Sequence, residues 1–227
     1  MLKLYYARPS LYARLAWLAL LEKQLSFELI PVNLRGEQFE ESFLALNPFG
    51  HVPVLIDGDL RIIESMAILD YLEAKYPDPP LLPKDAIALA RVRMVQSVTI
   101  HELLPAIVRL IIEEPNSDER QYAHFRASNT LTFLDQMLSN QPYFAGEQLT
   151  LAEIVAGSLV HRLPDLEVGL SDSLTDWSDR LLARSSWQQI LISDEWQNFK
   201  RYLRAMPKIW QQRRQQQMKA LSFNQSS

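Results

Sequence analysis

The segment from Asn47 to Ser65, NPFGHVPVLIDGDLRIIES, limits what this chain can fold into more than any other stretch. Val52 to Ile56 is a short β-branched and apolar run interrupted only by Pro53 near its head. Asp57-Gly58 is a strong two-residue hairpin signal, and Leu60 to Ile63 supplies the returning strand. Glu64-Ser65 then opens a helical pattern that puts Ile68, Leu69 and Leu72 on one face.

That order has chemical content. A proline just before a strand removes a backbone donor, and a cis bond there turns the N–H and C=O of Val52 outward, where an extended peptide can pair with them. One hairpin away, the Ser65 helix start offers free N–H groups and the positive end of a helix dipole, suited to a carboxylate. The two together can hold a small peptide by its backbone and its acidic end. The competing reading is purely structural: Pro53 starts a strand, Asp57-Gly58 is a turn and Ser65 caps a helix.

Around this segment the periodicity predicts a strand over Leu2 to Tyr6, a helix over Leu11 to Lys23, a strand over Phe27 to Val32, a short helix over Glu37 to Leu46 and a helix over Ser65 to Lys75. The β-α-β-α-β-β-α order suits a mixed sheet with helices on its faces. Pro77, Pro79, Pro80 and Pro83 stop regular structure, giving a first domain over 1–76, a linker over 77–85 and a helical domain over 86–227. Helices are expected over Ala86 to Glu114, Ser117 to Leu138, Leu151 to Arg162, Leu174 to Leu182 and Glu195 to Arg204, followed by a polar tail that frays or, in its first part, continues a helix. Thr150 and Glu153 have the spacing of a capping box, flanked by Leu149 and Ile154 as a hydrophobic staple.

With 227 residues, 48% of them apolar, the chain can bury a sizeable core. A formal charge of −4 with scattered Lys and Arg argues against nucleic acid as a partner. The apolar run from Leu103 to Ile112 is too short to cross a bilayer, and Met1 leads directly into a strand, so no membrane association and a cytoplasmic location are expected. There is no cysteine, which excludes disulfides, thiolate metal sites and Cys-based redox chemistry; any thiol must arrive with a ligand. His51, His101, His124 and His161 show no metal-ligand spacing, and no metal is expected.

The NPFG-x-VP…DG…ES series resembles the glutathione-binding half of cytosolic glutathione S-transferases, from Leu2 to about Pro83, with weaker echoes to about Trp187. The resemblance implies a thioredoxin-like α/β N-terminal domain followed by an all-α C-terminal domain, glutathione as co-substrate, and a homodimer formed through the helix after Ser65 and the long helix of the second domain. It implies that Glu64 and Ser65 take the γ-glutamyl end, that Val52, with Pro53, pairs with the cysteinyl backbone, and that Gln38 and His51 reach the glycyl carboxylate. For Gln38 a solvent-exposed helix position competes equally.

Such a transfer needs a thiol with a reference pKa of about 8.5 converted to thiolate near neutral pH. A hydroxyl donor aimed at the sulfur and a helix N-terminus both favour the charged form. Ser10 offers both, although an N-cap is the commonest use of serine in that place. Theta-, delta- and phi-like transferases carry their serine in this loop, and an arginine four residues on, as Arg14 is here, is frequent in theta and delta members. Tyr12-Ala13 replaces the usual Pro-Cys before that arginine. The resemblance therefore favours Ser10 as thiolate stabiliser over Tyr5, Tyr6 and Tyr12, with Arg14 adding positive potential or forming a structural ion pair. The electrophile pocket is expected between the domains, lined by Tyr12, Arg109, Ile112 and Tyr122. Three outcomes stay open: conjugation of a small hydrophobic electrophile; a glutathione-dependent peroxidase, isomerase or dehalogenase; and a non-catalytic glutathione-binding or regulatory protein of the same fold.

Overall fold

The computed structural model describes residues 1–139, 141–191 and 195–224. Strand β1 (Leu2–Tyr6) leads into helix α1 (Leu11–Glu22), followed by β2 (Phe27–Pro31), the one-turn α2 (Glu41–Leu44), the hairpin β3 (Val54–Asp57) and β4 (Leu60–Ile63), and α3 (Ser65–Lys75). Among the described residues these strands form one sheet in the order β2-β1-β3-β4, with β1 parallel to β2 and antiparallel to β3. Expectation and structure part at 37–46. There a 3₁₀ turn (Glu37–Phe39) and α2 replace one helix, because Glu40 between them is extended at φ −70°, ψ 150°.

Beyond the linker every described regular element is helical: α4 (Ala86–Val98), α5 (Leu104–Ile112), α6 (Asp118–Leu138), α7 (Leu151–Val160), α8 (Asp172–Leu182), α9 (Ser185–Ile190) and α10 (Glu195–Asn224). Between α4 and α5 the chain winds through a π turn, Thr99–Leu103, in which Leu104 N–H bonds to the Thr99 carbonyl. Pro105 explains it. Proline has no N–H and its ring crowds the carbonyl four residues back, so the turn ahead of it widens. The resulting apolar helix, Ala86–Ile112, has the length and composition of a membrane span, longer than the Leu103 to Ile112 run suggested. Half of its most apolar window is buried inside the fold, the place of a core helix. In the tail, where both fraying and a continued helix were open, the helix continues: α10 runs through Pro207 to Asn224, beyond Arg204. Its Gln, Arg, Lys and Ala residues are good helix formers.

The two halves meet along α1, which packs on α3, α7 and α9. At its C-terminal end, buried Lys23 forms an ion pair with Glu73 (2.6 Å) and donates to the carbonyls of Tyr76 (2.7 Å) and Pro79 (3.0 Å). Glu73 in turn accepts from the N–H groups of Leu81 and Leu82, and Leu151 N–H bonds to the Leu81 carbonyl. One buried cation thus ties α1, α3 and the linker together, and the linker is pinned to α7. Glu22, nearby, takes both arms of the Arg184 guanidinium at 2.9 and 2.7 Å and also accepts from the Ser186 hydroxyl. These ties fix α1, and whatever its N-terminus carries, against the helical domain.

Helix α7 is buried along its whole length. Gly157 is the reason it can be: a Cβ there would lie 2.5 Å from both Leu181 Cδ1 and the Trp187 ring. Alanine in mid-helix normally gains about 1 kcal/mol over glycine. Here the overlap should outweigh that gain, and Gly157→Ala is expected to destabilise the fold by about 1–3 kcal/mol, read by urea unfolding. A stabilised variant would show that α8 and α9 can retreat freely.

Candidate functional site at one end of the sheet

Sheet register decides where the site lies. Tyr5 pairs with Val54, and Val54 pairs with Ile63. The C-terminal end of β1, the N-terminal end of β3 and the C-terminal end of β4 are therefore side by side. Ser10 after β1, Val52-Pro53 ahead of β3 and Glu64-Ser65 after β4 converge on one edge of the sheet, although they lie far apart in sequence.

At the first corner, Ser10 N–H donates to the Ala7 carbonyl (2.9 Å), which folds the chain from strand into helix. Ser10 is extended (φ −86°, ψ 114°), and its Oγ accepts from Ala13 N–H at 3.2 Å. The cap reading and the chemical reading of this serine are therefore compatible. Capping uses an oxygen lone pair and leaves the hydroxyl proton free to be donated. No acidic residue occupies the first turn of α1 to offset its dipole.

The second arm is built by side chains that return to their own loop. Buried Asn47 accepts from Phe49 N–H (3.0 Å) and donates to the His51 carbonyl (2.7 Å). Gly50 sits at φ +66°, and a Cβ on it would press into the Phe39 ring at 2.9 Å. The Val52-Pro53 bond is cis, and among the described residues no backbone hydrogen bond engages Val52 outside the sheet ladder. The third arm is Glu64, at φ 69°, ψ 120°, a region that costs an L-residue roughly 1–3 kcal/mol. It delivers Ser65, buried at the start of α3, where again no acidic residue sits in the first turn. The Ser65 hydroxyl has no partner among the described residues.

The other residues singled out from sequence fall in different places. Gln38 is not on an exposed helix surface. It is buried, its amide nitrogen donates to the Leu34 carbonyl (2.7 Å) and its amide oxygen accepts from Gly36 N–H (3.0 Å), so it shapes the loop beneath Gly50. His51 is exposed beside Val52. Tyr6 is half-buried with its ring edge-on to Trp17, centroids 5.0 Å apart, while Tyr5 faces Phe43. Arg14 is buried on α1, and its charge acts on His161 at the end of α7. Burial, and secondarily Arg162 and Arg14, push His161 down to about 3, so its imidazole is neutral and its Nδ1–H serves the Gly157 carbonyl.

Of the four residues expected in the electrophile pocket, Tyr12 borders a narrow cleft of about 10 Å³ between α1 and the helical domain, together with Leu11, Leu15, Ile100, Leu104 and Leu159. Burial and the nearby charge of Glu64 raise the Tyr12 phenol pKa, keeping it a neutral donor. Arg109 instead pairs with Glu113 on the exposed side of α5 (3.2 Å), Ile112 is exposed, and Tyr122 stacks on Phe125 at the start of α6. The cleft is reached by Ile100 and Leu104, one to three turns earlier on the long helix. Sequence reasoning missed them and Leu159, because an apolar helix face carries no mark that separates cleft lining from core. No cluster of metal-ligating side chains occurs among the described residues.

Known proteins share this two-domain fold. The family model for the glutathione S-transferase N-terminal domain matches residues 4–80, and that for the C-terminal domain matches residues 98–185. Glutathione S-transferase Z1 of Arabidopsis thaliana is 36% identical over 70% of this chain and 76% of its own length. Maleylacetoacetate isomerase of Pseudomonas aeruginosa is 36% identical over 66% of this chain and 74% of its own. Among solved structures, a delta-class glutathione transferase of Nilaparvata lugens superposes with a TM-score of 0.78 at 26% identity, covering 91% of this chain and all of that one.

Proposed function

The chain belongs to the glutathione S-transferase family, and from that premise we propose that it conjugates glutathione to a small hydrophobic electrophile. The observation that carries the proposal is the convergence of Ser10, Val52 and Ser65 at one sheet end. In this reading the γ-glutamyl carboxylate sits at the α3 N-terminus on the Ser65 hydroxyl and free N–H groups. Val52 pairs with the cysteinyl backbone, and Glu64 receives the γ-glutamyl ammonium. His51 stands at the glycyl end, with Gln38 holding the loop that presents it.

The sulfur then meets the α1 N-terminus. Ser10 donates its hydroxyl proton to the thiolate, and the unopposed helix dipole adds to the stabilisation, lowering the thiol's pKa. The electrophile enters the cleft beside Tyr12, Ile100 and Leu104, so much of the acceleration comes from holding the two reactants together. The reading includes a cytoplasmic homodimer formed through α3 and α4, the latter with Ile87 and Met94 exposed. A second reading, glutathione-dependent isomerisation, is favoured by the similarity to the P. aeruginosa isomerase.

Calorimetric titration with glutathione tests the site. Ser65→Ala is expected to weaken binding roughly 10-fold or more, the value of a charge-assisted hydrogen bond. Unchanged affinity would remove the carboxylate from α3. Thiol consumption separates the two chemistries: conjugation depletes glutathione in step with product, and isomerisation leaves it unchanged.

A further inference from the structure

At about 10 Å³ the cleft beside α1 has room for one water molecule, whereas pockets that enclose organic ligands measure about 300–1,000 Å³. Part of its wall has to move before a substituent on the glutathione sulfur can enter. The two halves of the molecule do not supply that movement. Lys23 with Glu73 and Glu22 with Arg184 tie α1 to α3 and to the helical domain, so the cleft is not free to widen as a whole.

The wall is unequally held. Leu11 and Leu15 of α1, Leu104 of α5 and Val155 and Leu159 of α7 are buried and belong to the main apolar core. Displacing any of them would leave a void in close-packed surroundings. Ser158, also buried, has its hydroxyl committed to the Val155 carbonyl at 2.8 Å. Ile100 is half-buried and packs against the same core. Tyr12 differs: it is 44% exposed, and its hydroxyl makes no hydrogen bond with a described residue. Its phenol is neutral, so it can leave the cleft without breaking an ion pair. Exposed side chains change rotamer within nanoseconds, while buried ones are held by their neighbours.

We propose that Tyr12 is the movable wall of this cleft and determines electrophile specificity: its ring occupies the space a substrate takes and turns out towards solvent to admit it. The proposal rests on the glutathione-transfer reading. The space so vacated is bounded by leucine, isoleucine and valine side chains, with no charged side chain among the residues that line it. It suits a narrow, uncharged group, an unbranched alkyl chain or a single ring, since a charge entering it would lose its water without gaining a counter-ion. With the ring turned in, apparent affinity for such a group falls below the intrinsic value by the fraction of molecules that are open.

Calorimetric titration with S-methylglutathione and S-hexylglutathione tests this, because the S-substituent takes the electrophile's place and no reaction is needed. Each methylene buried improves binding by about fourfold, and in wild type the rotation of Tyr12 offsets part of that gain. Tyr12→Ala removes the ring, so the hexyl-to-methyl affinity ratio should rise roughly 10-fold, with S-methylglutathione binding within about 3-fold of wild type. Tyr12→Phe keeps the ring and should keep the wild-type ratio. A ratio unchanged or lowered in Tyr12→Ala overturns the proposal, a lowered one making Tyr12 a fixed binding surface. A ratio that rises as much in Tyr12→Phe also overturns it, because the hydroxyl and not the ring would then close the cleft. If S-methylglutathione binds neither wild type nor variants, the glutathione reading falls and Tyr12 with it. If it binds all three, only the Tyr12 assignment is at stake.

Discussion

Ser10→Ala is expected to return the bound glutathione thiol to a pKa near its free value of about 8.5, while glutathione still binds within a few-fold of wild type. The change is legible in thiolate absorbance in the ultraviolet as pH is varied. Loss of one donor placed on a developing or resident anion typically costs roughly 10²–10³-fold in turnover, and kcat at neutral pH should fall by that order. Binding should survive because the proposed carboxylate and backbone contacts lie at α3 and Val52, on other segments of the chain. The same substitution removes the cap on Ala13 N–H, at about 1 kcal/mol of stability. Ser10→Thr retains both the donor and the cap and is the control that separates them. A thiol shifted equally in wild type and Ser10→Ala would move the activating role to the helix dipole and Tyr12.

Glu153→Ala should be among the most damaging single changes to the fold. Its carboxylate is fully buried, where it accepts from Phe144 N–H (2.7 Å), Thr150 N–H (2.8 Å) and the Thr150 hydroxyl (2.7 Å). The Thr150 hydroxyl in turn accepts from Ala152 N–H at 3.1 Å, closing the cap of α7. Burial raises the carboxyl's pKa, and the donors around it act in the opposite direction. Truncation would leave three buried donors unpaired, each at about 1–3 kcal/mol, so a loss of at least about 3 kcal/mol is expected in urea unfolding. That is a large part of the ~5–15 kcal/mol that holds a typical domain together. Hydrogen exchange over 141–153 should accelerate more than elsewhere. A loss under about 1 kcal/mol would show that water or a neighbouring acceptor can take over these donors.

Much of the site was legible in one dimension because its parts are local. The hairpin of Asp57-Gly58, the proline heading β3, the serine opening α3 and the Thr150–Glu153 capping box are each fixed by interactions within a few residues, and short-range chemistry leaves a short-range signature. Ser10 was legible as a helix start for the same reason. The 37–46 segment misled because Gln38 forms its hydrogen bonds back to Leu34 and Gly36, leaving helix periodicity in the sequence without a continuous helix in the fold.

The sequence by itself determined the three arms of the site and the chemistry each can offer, since proline geometry, helix capping and the N-terminal dipole are properties of contiguous residues. Only the tertiary structure decided that these arms meet, through the pairing of Tyr5 with Val54 and of Val54 with Ile63. It also decided which side chains face them from the helical domain. Arg109, Ile112 and Tyr122 turned away, while Ile100 and Leu104 turned in. The physical reason is that a helix's rotation about its axis and its docking angle depend on contacts distant in sequence. Here these are the Lys23–Glu73 and Glu22–Arg184 ties and the π turn before Pro105, which together orient α1 and the long helix at the cleft.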